Sequence, residues 1–228
     1  MAPDMRHDKI EDARRAFLRF AGRASRQNEY FLWAFNKRVI ELTDWTQDAA
    51  TLGKGLGEIA PGARPTKGAG STAIYDACAA ALQKLAGAHQ RKRVLLVVTD
   101  GGPDDGASHE LLKTLKRKVR ESGALVYFVA MMDREWPGSL DAQGQEELNE
   151  IAKVSGGRAY FPLVWDELNN IIDRIAIELN SQYAISFTPT NAAKKGELNR
   201  LTIKVKPQPD FKGKLYVRAR EGYVSAPE

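Results

Sequence analysis

The 228-residue chain has one cysteine, three histidines and no apolar run approaching the ~18 residues that a membrane-crossing helix needs. A lone Cys78 excludes an internal disulfide framework, and its Ala-rich surroundings mark it as a small buried apolar residue. The first eight residues contain no apolar stretch of signal-peptide length. The chain therefore reads as soluble and without an export signal, its compartment undecided. His7, His89 and His109 are scattered without metal-ligand spacing, as surface residues are. No Gly-Lys-Ser/Thr step follows the glycines of the 60–71 loop, and Gly53, Gly55 and Gly57 fall in or after a helical stretch with no strand before them. Phosphate cradling by a P-loop or a dinucleotide fingerprint is thereby excluded. Tandem repeats and long low-complexity tracts are also missing.

What is present suits one globular domain with an appendage. Hydrophobic residues make up 43% and charged residues 28%, enough to bury a sizeable core and too apolar for a disordered chain. The net charge of +5 is mildly basic, well short of a polyelectrolyte.

Periodicity predicts a helix over 8–25, with Ile10, Ala13, Phe17, Ala21 and Ala24 on one face and Asp8 with Glu11 as its capping box. The run 30–35, apolar on both faces, predicts a covered strand, and a turn at 36–37 leads into an edge strand over 38–42. A short helix over 46–57 and the Gly/Pro-rich loop over 60–71 follow, then an Ala-rich helix after Thr72. The apolar run 94–98 predicts a central parallel strand, followed by an amphipathic helix over 108–121 on Leu111, Leu112, Leu115 and Val119. A strand over 124–130, a helix over 143–154 stopped by Gly156 and Gly157, a short strand over 158–161 and a helix over 165–181 complete the alternation. Strands alternating with helices give a doubly wound α/β fold, its mostly parallel sheet covered on both faces. Beyond it, 183–187, 201–205 and 215–219 alternate with period two and predict a small antiparallel β extension. The boundary falls between an α/β domain over 1–182 and a β-rich extension over 183–228 packed on it.

In an open α/β sheet, ligands sit beyond the carboxyl ends of the strands, which makes Asp100, directly after the most apolar strand, the best-placed polar residue. The Ser71–Thr72 step before the Ala-rich helix offers a hydroxyl toward the same edge, and carboxylate with hydroxyl oxygen suits a hard divalent cation such as Mg²⁺. Trp136, in the loop after the second apolar strand, suits a partner anchor near that edge if exposed, and burial against the tail accounts for it equally well. An enzymatic alternative is a metal-assisted hydrolase using Asp100, Asp104 and Asp105. A solvent-exposed turn rich in Gly, Pro and Asp explains the same residues without catalysis. Ser71, Ser122 and Ser139 have no histidine at a recognisable triad spacing. Lys113, Lys116, Arg117, Lys118 and Arg120 would suit phosphate, but without interleaved aromatics they read as a solvated helix face, and no nucleic-acid partner is expected.

Gly70-Ser-Thr-Ala-Ile-Tyr-Asp76, Leu95-Leu-Val-Val-Thr-Asp-Gly101, Gln182-Tyr183, Thr188-Pro-Thr-Asn191 and Val217-Arg-Ala-Arg-Glu-Gly-Tyr223, in this order, resemble a von Willebrand factor type A (vWA) domain. The likeness is greatest to the bacterial VWFA-related subgroup and runs from the first helix to Tyr223. It implies a non-catalytic, adhesion-type protein-interaction module. In that family a metal-ion-dependent adhesion site holds a divalent cation, Mg²⁺ or Mn²⁺, and an acidic residue of a protein partner completes its coordination. The resemblance makes Thr72 and Asp100 metal ligands; Ser71, Gly101 and Trp136, placed at the same edge, are the expected partner-binding residues.

The family's Asp-x-Ser-x-Ser step, at the end of a central first strand, has no counterpart here. A site reduced to Thr72 and Asp100 is expected to hold metal weakly, because Mg²⁺ wants about six oxygens. The missing strand would lie between the strands at 30–35 and 94–98, whose edges would otherwise carry unpaired backbone groups. Either those edges close on each other, or another chain donates a strand, or the 228 residues are a fragment that starts upstream. The last is the preferred expectation, since it also accounts for the missing export signal, and the subgroup's members are often exported in longer form.

Overall fold

The computed structural model describes residues 9–23, 27–35, 38–59, 73–99, 110–131, 141–189, 197–207, 209–213 and 215–224. Helix α1 (Lys9–Arg23) leads into the hairpin β1 (Tyr30–Phe35) and β2 (Val39–Thr46), then α2 (Ala49–Gly57) and α3 (Ile74–Ala86). The α/β alternation continues as β3 (Val94–Thr99), α4 (Leu112–Ser122), β4 (Leu125–Ala130), α5 (Ala142–Ser155), β5 (Arg158–Tyr160) and α6 (Asp166–Asn180). Two three-residue strands, β6 (Leu198–Arg200) and β7 (Gly222–Val224), close the list.

The expected α/β class is what forms. Strands β3, β4 and β5 make a parallel sheet in that order, with Val94 to Thr99 registered on Leu125 to Ala130. Both faces are covered. Leu95, Val97, Val126 and Phe128 point into one cluster with Ile74, Cys78 and Leu82 of α3, Leu115 and Val119 of α4, and Leu148 and Ile151 of α5. Tyr127 and Val129 point the other way, against Ala16 of α1 and Leu168, Ile172 and Ile175 of α6. This two-sided burial explains why both runs are apolar without alternation.

Local chemistry sets the boundaries. The Asp48 carboxylate accepts hydrogen bonds from the Ala50 and Thr51 amides at 3.0 Å and so begins α2. Gly156, at φ 85°, ends α5 in the left-handed conformation that glycine adopts without a Cβ penalty. Behind it, buried Ser155 donates to the Ala152 carbonyl at 2.6 Å and accepts from the Val126 and Gly157 amides at 2.9 and 3.0 Å. The hydroxyl thus satisfies a β4 amide where β5 has not yet begun.

Several expectations need correction. The apolar stripe of α1 is wider than its period suggested. Ala16 and Phe20 face the β4–α6 side, while Phe17 and Ala21 pack with Leu32, Leu52 and Leu56 on the hairpin side. Strand β2 runs on to Thr46, past the expected end at 42, because its polar residues have partners. Thr43 is buried against Gly55, and Asp44 with Glu41 holds Lys84 of α3, each at 2.6 Å. Leu111 is no part of the α4 core stripe; it precedes the helix and is 70% exposed.

The tail departs most. Residues 183–187, 201–205 and 215–219 are not strands, and the antiparallel pair is the short β6–β7 ladder instead. Period-two alternation marks a strand only where one face is buried, and Tyr183 and Tyr216 are 94% and 85% exposed. The tail is nonetheless fastened to the α/β unit. Arg120 of α4 donates to Glu221 at 3.0 Å, Arg218 pairs with Glu178 of α6, and the Glu221 amide reaches the Val154 carbonyl. Glu178 also accepts from the Tyr127 hydroxyl at 2.6 Å, and burial, with that carboxylate beside it, pushes the Tyr127 phenol well up.

The β1–β2 hairpin is a separate antiparallel sheet, without a ladder to β3 among the described residues. Direct closure of the two edges, one of the three expected arrangements, is therefore not what the structure shows.

Two expected outcomes follow from this packing. A Cβ on Gly55 would lie 2.1 Å from Thr43 Oγ1, whereas one on Gly57 would meet nothing within 4 Å. In urea unfolding, Gly55→Ala should cost ~1–3 kcal/mol by overpacking, and Gly57→Ala should be neutral or stabilise by up to ~1 kcal/mol. Burial pushes the Cys78 thiol up to about 12. The folded chain should resist thiol reagents at mildly alkaline pH and label fully in denaturant. Because the unfolded thiol ionises near ~8.5, this group's contribution to stability is whole below that pH and is lost as pH rises toward the folded value.

Candidate functional site

Among the described residues, the carboxyl edge of the parallel sheet is built by strand ends and helix starts. At the opposite edge, the Arg93 guanidinium donates to the Ala86 carbonyl at 3.2 Å, so the last turn of α3 sits beside the start of β3. From there α3 runs back along the strand. Thirteen helical residues and six extended ones both span about 20 Å, so the amino end of α3 arrives level with Thr99. At that level Asp76, in the first turn of α3, accepts from the Glu110 amide at 2.7 Å. Glu110 belongs to the segment that leads into α4 and is itself ion-paired with Lys118. Buried Tyr75 donates to Glu147 of α5 at 2.6 Å, and Gln143 donates to the same carboxylate at 2.9 Å. The Thr99 carbonyl accepts from the Met131 amide at 2.8 Å, carrying the parallel ladder to the rim. Thr99 and Met131 are both buried, so this edge is a firm platform beneath whatever lies above it.

Of the residues that sequence reasoning assigned to the site, Ser71, Thr72, Asp100, Gly101 and Trp136 lie outside the described residues, as do Asp104 and Asp105. Their chain neighbours are described. Ala73, next to Thr72, is buried at the start of α3, and Thr99, next to Asp100, is the last residue of β3. Among the described residues no group of three or more His, Cys, Asp or Glu side chains gathers to hold a metal.

Sequence reasoning missed the Asp76–Glu110 and Tyr75–Glu147 links. Both Tyr75 and Asp76 stand in the quoted Gly70–Asp76 motif, and a carboxylate in the first turn of a helix was the available signal for the former.

The basic residues of α4 are largely neutralised. Lys116 pairs with Glu150 at 2.8 Å, Lys118 with Glu110, and Arg120 with Glu221. Exposed His89 lies 3.0 Å from Glu29 through Nδ1. Gly53, Gly55 and Gly57 fall inside α2, and of the three Gly55 is the one closely packed, against Thr43. No described helix is long and apolar enough to cross a membrane.

Comparison with known proteins agrees with this architecture. In structure, the chain is similar to a von Willebrand factor type A protein from Catenulispora acidiphila, at 16% identity and a TM-score of 0.58. That match covers 77% of this chain and 39% of the other, so the chain spans well under half of that protein's length. It is also similar to an aerotolerance-related membrane protein from Bacteroides fragilis NCTC 9343, at 18% identity and a TM-score of 0.57, covering 78% and 92%. BatB, a conserved hypothetical protein from Bacteroides thetaiotaomicron, matches at 17% identity and a TM-score of 0.56, covering 76% and 89%. At such identities the likeness is one of fold. A search of curated protein sequences gives no match. The model of the family described as "VWA domain containing CoxE-like protein" matches residues 11–153, from α1 into α5. With a parallel sheet wrapped by helices on both faces and this match over more than half its length, the chain belongs to the vWA domain family of CoxE-like type.

Proposed function

We propose that the chain is a non-catalytic protein-interaction module that engages its partner at the carboxyl edge of the β3–β4–β5 sheet. The observation that carries this reading is the firm rim formed by Ala73, Asp76, Thr99 and Met131, which brings the chain neighbours of Thr72 and Asp100 to one edge. In this reading Thr72 supplies a hydroxyl oxygen and Asp100 a carboxylate oxygen to a divalent cation, and an acidic side chain of the partner adds another. Ser71, Gly101 and Trp136 form the surrounding contact surface.

The donor chemistry fits a hard cation such as Mg²⁺ or Mn²⁺, which prefers oxygen. Two protein oxygens out of about six leave the ion mostly hydrated. Cation affinity from this chain alone is therefore weak and rises when the partner's carboxylate joins. The cation, when bound, supplies positive charge to attract that carboxylate, and Thr72 and Asp100 orient it at the rim.

The test is a titration of the chain with Mn²⁺, read by paramagnetic broadening of backbone amide signals. Broadening should appear only at millimolar metal and be centred on Ala73, Ile74 and Thr99, and Asp100→Ala should remove it. Tight stoichiometric uptake by calorimetry, or broadening centred elsewhere, would overturn the assignment. A phosphoester substrate hydrolysed by the chain but not by the Asp100→Ala variant would favour the hydrolase instead.

A further inference from the structure

Outside the tail, the large apolar side chains that the described residues expose are not spread evenly. Leu111, Leu163 and Val164 all stand at the carboxyl edge of the parallel sheet, at 70%, 52% and 53% exposure, whereas Leu18, Ile40 and Ile177 lie singly on α1, β2 and α6. Single exposed apolar residues need no explanation, but three at one edge call for one.

All three are held from behind. Leu111 follows Glu110, whose amide is fixed by Asp76, and the Leu111 carbonyl accepts from the Leu115 amide at 2.9 Å. Leu163 and Val164 occupy the short connection between β5 and α6, where Phe161 packs on the α3–α4–α5 side of the sheet and Trp165 on the α1–α6 side. The Val164 carbonyl accepts from the Glu167 amide at 3.2 Å, which ties the pair to the first turn of α6. An anchored backbone presents these side chains, so covering them costs little ordering entropy.

The same edge is negatively charged. Asp141 and Glu147 of the α5 start are bound by neutral donors, the Gly144 amide and the Tyr75 hydroxyl with Gln143, which leave their charge in place. Asp166 and Glu167 are exposed in the first turn of α6, directly after Leu163 and Val164. Lys118 matches Glu110, and Lys113 in the first turn of α4 offsets only part of the rest. Acidic residues at helix starts suit the helix dipoles, and together they set a negative field over the edge.

A carboxylate approaching such an edge is repelled, so a partner that brings one must bring positive charge with it. A second copy of this chain offers the same negative edge and is disfavoured for the same reason. We infer that the partner's contact surface carries aliphatic side chains and lysine or arginine beside its coordinating carboxylate. Leu111 beside α4 and Leu163 with Val164 beside α6 are the apolar contacts, and Asp166 with Glu167 supplies the counter-charge. This rests on the partner's engaging the carboxyl edge, and it adds the chemistry that selects the partner there.

The experiment is chemical-shift mapping by NMR on the full chain, with Mg²⁺ in excess and a synthetic peptide of one aspartate flanked by leucines and then by lysines. Two control peptides replace the leucines by serine or the lysines by glutamate. The first peptide should shift the Leu111, Leu163 and Val164 signals, and each control should bind at least ~10-fold more weakly. Leu163→Ser with Val164→Ser should weaken the first peptide by about tenfold and leave the Mn²⁺ broadening at Ala73 and Thr99 unchanged. Both side chains are half exposed, so the fold does not depend on them. Asp166→Asn with Glu167→Gln should flatten the salt dependence of binding. Undiminished binding to the Leu163→Ser, Val164→Ser variant overturns the inference, as do equal binding of either control, shifts centred away from this edge, or no shift at millimolar peptide. The expected peptide binding, if it persists without Mg²⁺ and in Asp100→Ala, upholds the inference while the cation assignment falls. Metal broadening at the rim with unaltered peptide binding in the double variant does the reverse.

Discussion

The parallel ladder between β3 and β4 is the constraint on which the remaining structure depends. Its six registered pairs join two strands that have apolar clusters on both faces, and the helices take their places from it. Because β3 and β4 point the same way, the connection between them must return along the sheet as a helix, α4. Helix α3, which leads into β3, runs back along that strand, so α3 and α4 begin at one common edge, and the candidate site is a product of connectivity before it is a product of any side chain.

Much of this was legible in the amino-acid sequence. Uninterrupted apolar runs such as Val94–Val98 identify themselves, since only a doubly covered strand tolerates apolar residues at every position. The end of α5 was marked by Gly156, whose effect is local, whereas the cap at Asp48 was not read and α2 was expected from 46. The extent of β2 was not legible, because Thr43 and Asp44 are polar and their partners, Gly55 and Lys84, are contributed by distant helices. The tail misled for the opposite reason. Its alternation is real, but among the described residues no second layer covers it, and a pattern without burial does not specify a strand.

The candidate site divides in the same way. The rim beneath it, from Ala73 to Met131, is fixed by backbone and buried side chains whose types the sequence displays. The Tyr75–Glu147 link joins residues 72 apart, and the Asp76–Glu110 link joins residues 34 apart. Asp76 stands out locally as an acidic residue in a first helical turn, but in neither link does spacing along the chain identify the partner. The proposed cation ligands Thr72 and Asp100 were picked out by position, before a helix start and after a strand end, which is a topological argument rather than a geometric one.

Arg218 and Glu221, three positions apart, hold helices on opposite faces, α6 and α4, and the Arg220 amide passes 2.6 Å from where a Gly156 Cβ would stand. The tail thus acts as a clasp that crosses from one helical layer to the other past the end of α5, and it fits only because Gly156 has no side chain. Residues 218–221 thereby couple the two covers of the sheet, so that loosening either ion pair would let the layers at that end part more easily.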